Sequence, residues 1–238
     1  MGSAATFSPQ TLRAWGEHSA ASARAVLPIV FALRRPASVI DVGCLFGAWA
    51  AVCRELGVDD VVALDGHYVD RGRLLVPERC FRPGDLREPL ALERTFDLAI
   101  CLEVAHYLPE RRAGGLVAEL CALAPVVLFS SAIPHQGGHH HVNEQWPEYW
   151  AKRFADHRYA PVDCVRDAVW EHPEVASWYA QNTLLFVSQG LRAAYADQPG
   201  YGRCLARVHP SGYMRYAAGR YHALRRAADA RLAGLRRG

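Results

Sequence analysis

The sequence predicts an α/β fold, a doubly wound and mostly parallel sheet, and three observations predict it. Short β-branched runs alternate with helix-forming stretches four times, at intervals of roughly 20–30 residues, the signature of parallel strands joined by crossover helices. The first run, Ser38–Val42, breaks at Gly43 and gives way to helix formers from Phe46 to Leu56. This strand–turn–helix unit is how α/β sheets approach a phosphate or nucleotide. The second run, Asp60–Asp65, ends in an acid 22 residues beyond Gly43, about where such sheets place the carboxylate that binds ribose hydroxyls.

At 238 residues the chain holds one α/β domain with appendages, or at most two small domains. Its composition, 51% hydrophobic and 21% charged, is ordinary for a globular protein. No apolar run approaches the ~20 residues that span a bilayer, and Met1–Ser8 lacks the basic and apolar segments of a secretory leader. Seven scattered cysteines without a Cys-x-x-Cys pair point to reduced thiols in a cytoplasmic protein, and away from disulfides or structural zinc. Charge is uneven. Residues 191–238 carry ten Arg against Asp197 and Asp229, a net of +8, so the other 190 residues sum to −5. Such a tail either contacts nucleic acid or another anionic surface, or forms a solvated helix face paired with the acidic domain. Lys152 is the single lysine among 27 basic residues; the Arg bias is compositional, and nucleic acid is the lesser expectation.

Taken in order, Ser8-Pro9-Gln10 starts a helix with Pro at its first position. Leu12, Trp15, Ala23, Val26, Val30 and Leu33 follow at helical spacing, Ser19 interrupts the stripe, and Pro28 predicts a break. Residues 1–35 thus form a helical cap. After the first strand, its helix and the second strand, Glu78–Arg82 is a short third strand leading into Pro83-Gly84-Asp85-Leu86. Thr95–Glu103 is a fourth strand, Pro109 opens a helix to about Ala124, and Pro125–Ser130 is a fifth strand. Gly137-Gly138 makes a flexible turn, and Asn143 caps a helix carrying Trp146, Tyr149 and Trp150 through Phe154. Tyr159–Val165 and Asn182–Ser188 are two further strands around a segment containing Trp170 and Trp178. Residues 191–238 form an Arg-rich extension, with an amphipathic helix over Gly212–Arg237 that places Tyr213, Tyr216, Tyr221, Leu224, Leu232 and Leu235.

The first turn is not a dinucleotide fingerprint. Asp41-Val42-Gly43-Cys44-Leu45-Phe46-Gly47 has its acid inside the strand, two residues before the first Gly, whereas Gly-x-Gly-x-x-Gly has its acid only at the end of the second strand. The stretch resembles motif I of the class I S-adenosylmethionine-dependent methyltransferases, with Leu45 at the family's usual middle Gly. Phe96–Leu108 resembles the family's fourth motif, with His106 at its second Glu position and Tyr107 at its His position. The run from Ile133 to Trp150, with Gln136-Gly137-Gly138, His141-Val142-Asn143-Glu144-Gln145-Trp146 and Tyr149-Trp150, looks like one found in family members acting on small molecules.

The likeness covers roughly residues 36–190, the catalytic domain, and implies a Rossmann-like seven-stranded sheet closed by an antiparallel hairpin. It also implies S-adenosylmethionine as cofactor and S-adenosylhomocysteine as product. Asp41, Gly43, Cys44 and Gly47 would hold the methionine moiety, Asp65 and Gly66 the ribose, and Asp85 and Leu86 the adenine. Leu102 and Glu103 complete the implied cofactor-binding set. Asp85 reads equally well as a helix N-cap.

Ligands of open α/β sheets lie beyond the carboxyl ends of the strands, so the loop after the fifth strand covers the cleft. Its four histidines, His135, His139, His140 and His141, carry three readings: metal ligands, a general base, or loop residues bonding backbone and solvent. No metal is expected, because adjacent histidines rarely converge on one ion. His139, His140, His141 and His106 are the candidate catalytic residues, one of them removing a proton from the acceptor. Trp146, Tyr149 and Trp150 either pack or form a substrate platform.

The expectation is therefore in-line methyl transfer to an oxygen or nitrogen of a small molecule, sugar-bearing or a secondary metabolite, with no membrane partner. A nucleic-acid methyltransferase using the basic tail is one rival. A non-catalytic cofactor-binding protein or a nicotinamide oxidoreductase is the other. The C-terminal helix either completes a substrate lid or packs on a second subunit of a homodimer.

Overall fold

Strands buried on both faces read as continuous apolar runs, because parallel strands need helices on both sides. The computed structural model describes residues 9–90, 92–198, 200–214, 216, 217, 219 and 225, without the side chains of residues 9–15. It contains strands β1 (Ser38–Val42), β2 (Asp60–Asp65), β3 (Phe81–Pro83), β4 (Leu98–Leu102), β5 (Val126–Ser130), β6 (Tyr159–Val162) and β7 (Leu184–Ser188). They form one sheet in the order β3-β2-β1-β4-β5-β7-β6. β1 to β5 are parallel, and β7 runs antiparallel to both β5 and β6. The expected seven-stranded, mostly parallel sheet with a closing antiparallel pair is what forms.

Helices cover it, among the described residues α1 (Pro9–Leu33), α2 (Ala48–Glu55), α3 (Glu110–Leu123), α4 (Pro147–Asp156), α5 (Arg166–Val169), α6 (Ser177–Asn182) and α7 (Arg192–Tyr195). Successive strand side chains alternate between two cores. Val39, Val61, Ala63, Leu98, Ile100, Leu128 and Leu185 join α1, α2, α5 and α6. Ile40, Val42, Ala99, Cys101, Val127, Phe129 and Phe186 join α3 and α4.

Several boundaries differ from expectation. α1 is continuous through Pro28; Pro28 and Arg24 are both exposed, so water serves the carbonyl that loses its partner. Ser19, the gap in the apolar stripe, bonds the Tyr179 hydroxyl at 3.0 Å. Leu27 and Phe31 add to the buried face. The helix after the first turn begins at Ala48, because Gly47 is left-handed. Glu78–Cys80 is a 3₁₀ turn, so β3 starts only at Phe81. Asn143 caps nothing: Trp146 precedes the helix and Pro147 opens it. β6 ends at Val162, where Asp163 takes a bidentate bond from buried Arg166 and turns the chain into α5. β7 starts at Leu184 because α6 runs through Asn182.

Residues 210–214 are helical. Residues 216, 217, 219 and 225 are helical too, while Tyr221, Leu224, Leu232 and Leu235 of the expected C-terminal helix lie outside the described residues, as do the side chains of Leu12 and Trp15. All seven cysteines are free. Among the described residues no helix is long and apolar enough to cross a membrane.

Candidate functional site

Chain order reverses between β1 and β4, which places a crevice beyond their carboxyl ends. Four segments gather there: the loop 43–47 after β1, residues 65–68 after β2, residues 103–107 after β4, and the loop 131–146 after β5.

On the β1–β2 side, Asp41 and Asp65 stand on one sheet face by strand alternation, each 3% exposed. Asp41 accepts from the Ala50 backbone N at 3.3 Å, in the first turn of α2. Burial pushes its carboxyl up to about 7, with the negative charge of Asp65 adding to the rise. Asp65 accepts from the backbone N of Leu45 and of Gly66, both at 2.6 Å, and from the Tyr68 hydroxyl. Burial raises its pKa, and these donors oppose the rise.

Gly43 and Gly47 have φ of +81° and +80°, in the left-handed region that favours glycine. A Cβ on Gly43 would come within 2.3 Å of Val104 Cγ2, and one on Gly47 within 3.2 Å of Val76 Cγ2. Leu45, between them, is also left-handed at φ 49°. Cys44 is buried, with a thiol pushed well up by burial and the two nearby acids. Its Sγ points back to the Leu45 carbonyl. Asp85 begins no helix. It accepts from the Arg87 backbone N in a local turn and pairs bidentately with the Arg87 guanidinium, which lowers its pKa. Leu86 is buried, with its carbonyl taken by Arg112.

On the β4–β5 side, Leu102 is buried and Glu103 is half-buried with φ 57°. The Glu103 carboxylate accepts from Asn182 Nδ2 at 3.0 Å and Gln136 Nε2 at 3.2 Å. Its backbone N donates to the Ser130 carbonyl and hydroxyl. Burial raises its carboxyl to about 7 against these bonds. Gln136 Oε1 gathers donors from Asn182 and Gln181, both at 2.9 Å. Gln181 Oε1 in turn accepts from the His209 backbone N at 2.8 Å. One amide network thus ties β4, the loop after β5, α6 and the start of the C-terminal segment.

The histidines separate. His106 is 1% exposed; its Nδ1 accepts from the Ala132 backbone N at 3.0 Å, and burial depresses its pKa well below the usual range. It is therefore neutral, with its proton on Nε2. His141 stacks against His106 at 4.0 Å and meets Tyr107 edge-on at 5.1 Å. Its Nδ1 lies 2.8 Å from Glu144 Oε1, in a side chain only 9% exposed. Glu144 also accepts from the backbone N of His135 and Gly137, at 2.8 and 2.9 Å, so one carboxylate shapes the whole loop. His139 and His140 are exposed, with rings 4.3 Å apart. Asn143 Nδ2 is buried with no hydrogen-bond partner among the described residues. Trp150 is buried in the core against Phe129, while Trp146 is 43% exposed.

Sequence reasoning missed Tyr68, Glu144, Asn182 and Gln181, and assigned no role to Gln136. The one available signal was the i, i+3 spacing of His141 and Glu144; the amides come from distant segments. Among the described residues no group of three or more His, Cys, Asp and Glu is placed to hold a metal ion.

A family model described as a methyltransferase domain matches residues 14–165. No curated protein matches the chain in sequence. Among solved structures, DesVI of Streptomyces venezuelae is 12% identical, covering 77% of this chain and 99% of its own, with a TM-score of 0.59. The sugar N-methyltransferase KedS8 of a Streptoalloteichus species is 16% identical, covering 79% and 98%, at 0.58. Magnesium protoporphyrin IX methyltransferase of Synechocystis, solved with bound SAM, is 17% identical, covering 79% and 87%, at 0.53. At these identities the likeness shows the shared fold.

Proposed function

The chain belongs to the methyltransferase-domain family as an S-adenosylmethionine-dependent methyltransferase, and from that premise we propose that it methylates an oxygen or nitrogen of a small molecule. The observation that carries this reading is the pair of same-face acids, Asp41 and Asp65, around a loop bent by Gly43, Leu45 and Gly47 at the strand ends. These residues fit the cofactor. A ribose diol needs a paired acceptor, which the Asp65 carboxylate supplies, and the sulfonium-bearing methionine end carries positive charge that suits Asp41. The named activities of the fold neighbours, on a sugar and on a porphyrin, support a small acceptor.

Bound there, S-adenosylmethionine supplies an electrophilic methyl group on a sulfonium. The protein's work is to position and to move a proton. The loop 43–47, with Cys44, holds the methionine end. Asp65 and Gly66 would hold the ribose, the Tyr68 hydroxyl giving up its bond to Asp65. Asp85 and Leu86 line the adenine end, and Leu102 closes the floor at the end of β4. Holding the acceptor nucleophile collinear with the breaking bond accounts for much of the acceleration.

His141 is the base in this reading. Glu144 accepts a hydrogen bond from its Nδ1–H and so fixes the tautomer, leaving the Nε2 lone pair to accept the acceptor's proton. Gly138 makes room for that edge of the ring, since a Cβ there would sit 2.2 Å from Nε2. His106 is neutral and backs His141 as a packing surface. His139 and His140 lie at the exposed rim of the loop.

Residues 36–190 act as the catalytic unit of a cytoplasmic enzyme, with residues 1–35 as a cap. The C-terminal extension serves as a lid, supported by the His209–Gln181 bond and by the Tyr216 ring, 6.1 Å from that of His135. The test is calorimetric titration with S-adenosylmethionine and S-adenosylhomocysteine, with NAD as control. Micromolar binding of the sulfur compounds alone is expected. A folded, ligand-free protein that binds neither would overturn the reading.

A further inference from the structure

Glu103 is a carboxylate without a counter-charge. Among the described residues no Arg, Lys or His pairs with it; its bonds come from the neutral amides of Gln136 and Asn182. All of its side-chain and backbone bonds run toward β5 and α6 rather than toward β1 and β2, where the cofactor residues lie. Its backbone is held left-handed at φ 57°, a conformation L residues keep where the surroundings over-determine it, as binding sites do. A carboxylate oriented by neutral amide donors, with no cation of the protein beside it among the described residues, suits an ammonium, which gains a charge-assisted hydrogen bond there.

We propose that Glu103, held by Gln136 and Asn182, docks an ammonium group of the acceptor, so that the substrate is an amine-bearing small molecule. This rests on the methyltransferase reading, narrows it, and moves Glu103 from the cofactor-binding set that the family resemblance implies to the acceptor. The amide network extends to His209 through Gln181.

The test uses the full chain saturated with S-adenosylhomocysteine and two isosteric probe pairs, cyclohexylamine with cyclohexanol and glucosamine with glucose. Binding is read by NMR titration, including the ¹³C signal of the Glu103 carboxyl. In at least one pair the amine should bind about tenfold tighter than the alcohol, and should shift the Glu103 signal toward the ionised form near neutral pH. Glu103→Gln should lose that preference while binding S-adenosylhomocysteine within about threefold of wild type, which also reports that it is folded. No amine preference in either pair, an unresponsive Glu103 signal, or a preference that survives in Glu103→Gln would overturn the proposal. A larger loss of S-adenosylhomocysteine in that variant would also overturn it, assigning the carboxylate to the cofactor's own ammonium. Failure of the wild type to bind S-adenosylhomocysteine would instead overturn the methyltransferase reading itself.

Discussion

The backbone N–H of Leu45 donates to the Asp65 carboxylate at 2.6 Å, so the end of β2 holds the loop after β1 in its left-handed turn. A left-handed L residue costs roughly 1–2 kcal/mol. A bond to a carboxylate returns a similar amount, about 1.5–3 kcal/mol, which is why Leu serves where the family usually has Gly. Asp65→Ala removes the acceptor for Leu45, Gly66 and Tyr68 together. It should cost about 1–3 kcal/mol of stability and weaken S-adenosylmethionine binding at least about tenfold. Urea denaturation and calorimetry check both; unchanged affinity would detach Asp65 from the ribose.

The Tyr68 hydroxyl donates to Asp65 Oδ1, the acceptor proposed for a ribose hydroxyl. Tyr68→Phe removes that donor without a large change in packing. Cofactor affinity should rise about two- to tenfold, the worth of one hydrogen bond. A fall in affinity would mean that the hydroxyl contacts the ligand directly.

Gly43→Ala introduces both a disfavoured φ and a Cβ 2.3 Å from Val104 Cγ2. A loss of about 2–4 kcal/mol is expected from strain and overpacking together. The double variant Gly43→Ala with Val104→Ala relieves the collision but not the backbone strain, so it should recover part of the bound cofactor. Full recovery would show that the turn itself tolerates a side chain.

Asp41, Asp65 and Glu103 all have raised carboxyls, with Asp41 and Glu103 at about 7. The folded state then holds protons that the unfolded chain releases above its ordinary carboxylate range near 4. Their contribution to stability is full below that range and is lost as pH rises through about 7. Denaturation midpoints should therefore fall from pH 5 to pH 7.5, with a slope of up to about 1.4 kcal/mol per pH unit for each group. Asp41→Asn should flatten the dependence. A midpoint rising across this window would contradict the burial argument.

Glu144→Gln breaks the carboxylate–imidazole pair while keeping its size. With an acceptor in hand, it should slow methyl transfer about tenfold or more, and His141→Ala about 100-fold. The double variant should be little worse than His141→Ala alone, because the two act as a unit. Product release of S-adenosylhomocysteine is the readout. If His139→Ala or His140→Ala carried the loss instead, the base would sit on the exposed rim.

Period-2 and period-3.6 patterns are local properties, so the strands, most helices and the parallel sheet were legible in the residues themselves. So were Asp41, Gly43, Gly47 and Asp65, which sit at strand ends by spacing alone. Local signals failed where a distant partner decides. Pro28 did not break α1, because its lost bond faces solvent. Asn143 did not cap α4, because its side-chain oxygen accepts from Gln145 Nε2 and the helix begins only at Pro147.

Which histidine has a carboxylate partner was legible only as the i, i+3 spacing of His141 and Glu144; the loop's path, which brings His141 to Glu144 and His106, decides it. Glu103 is the clearest case. Its amide partners come from residues 33 and 79 positions away, so its surroundings were decided by tertiary structure. Chain connectivity determined the sheet and the cofactor turn, while desolvation and long-range hydrogen bonding determined which polar groups can act.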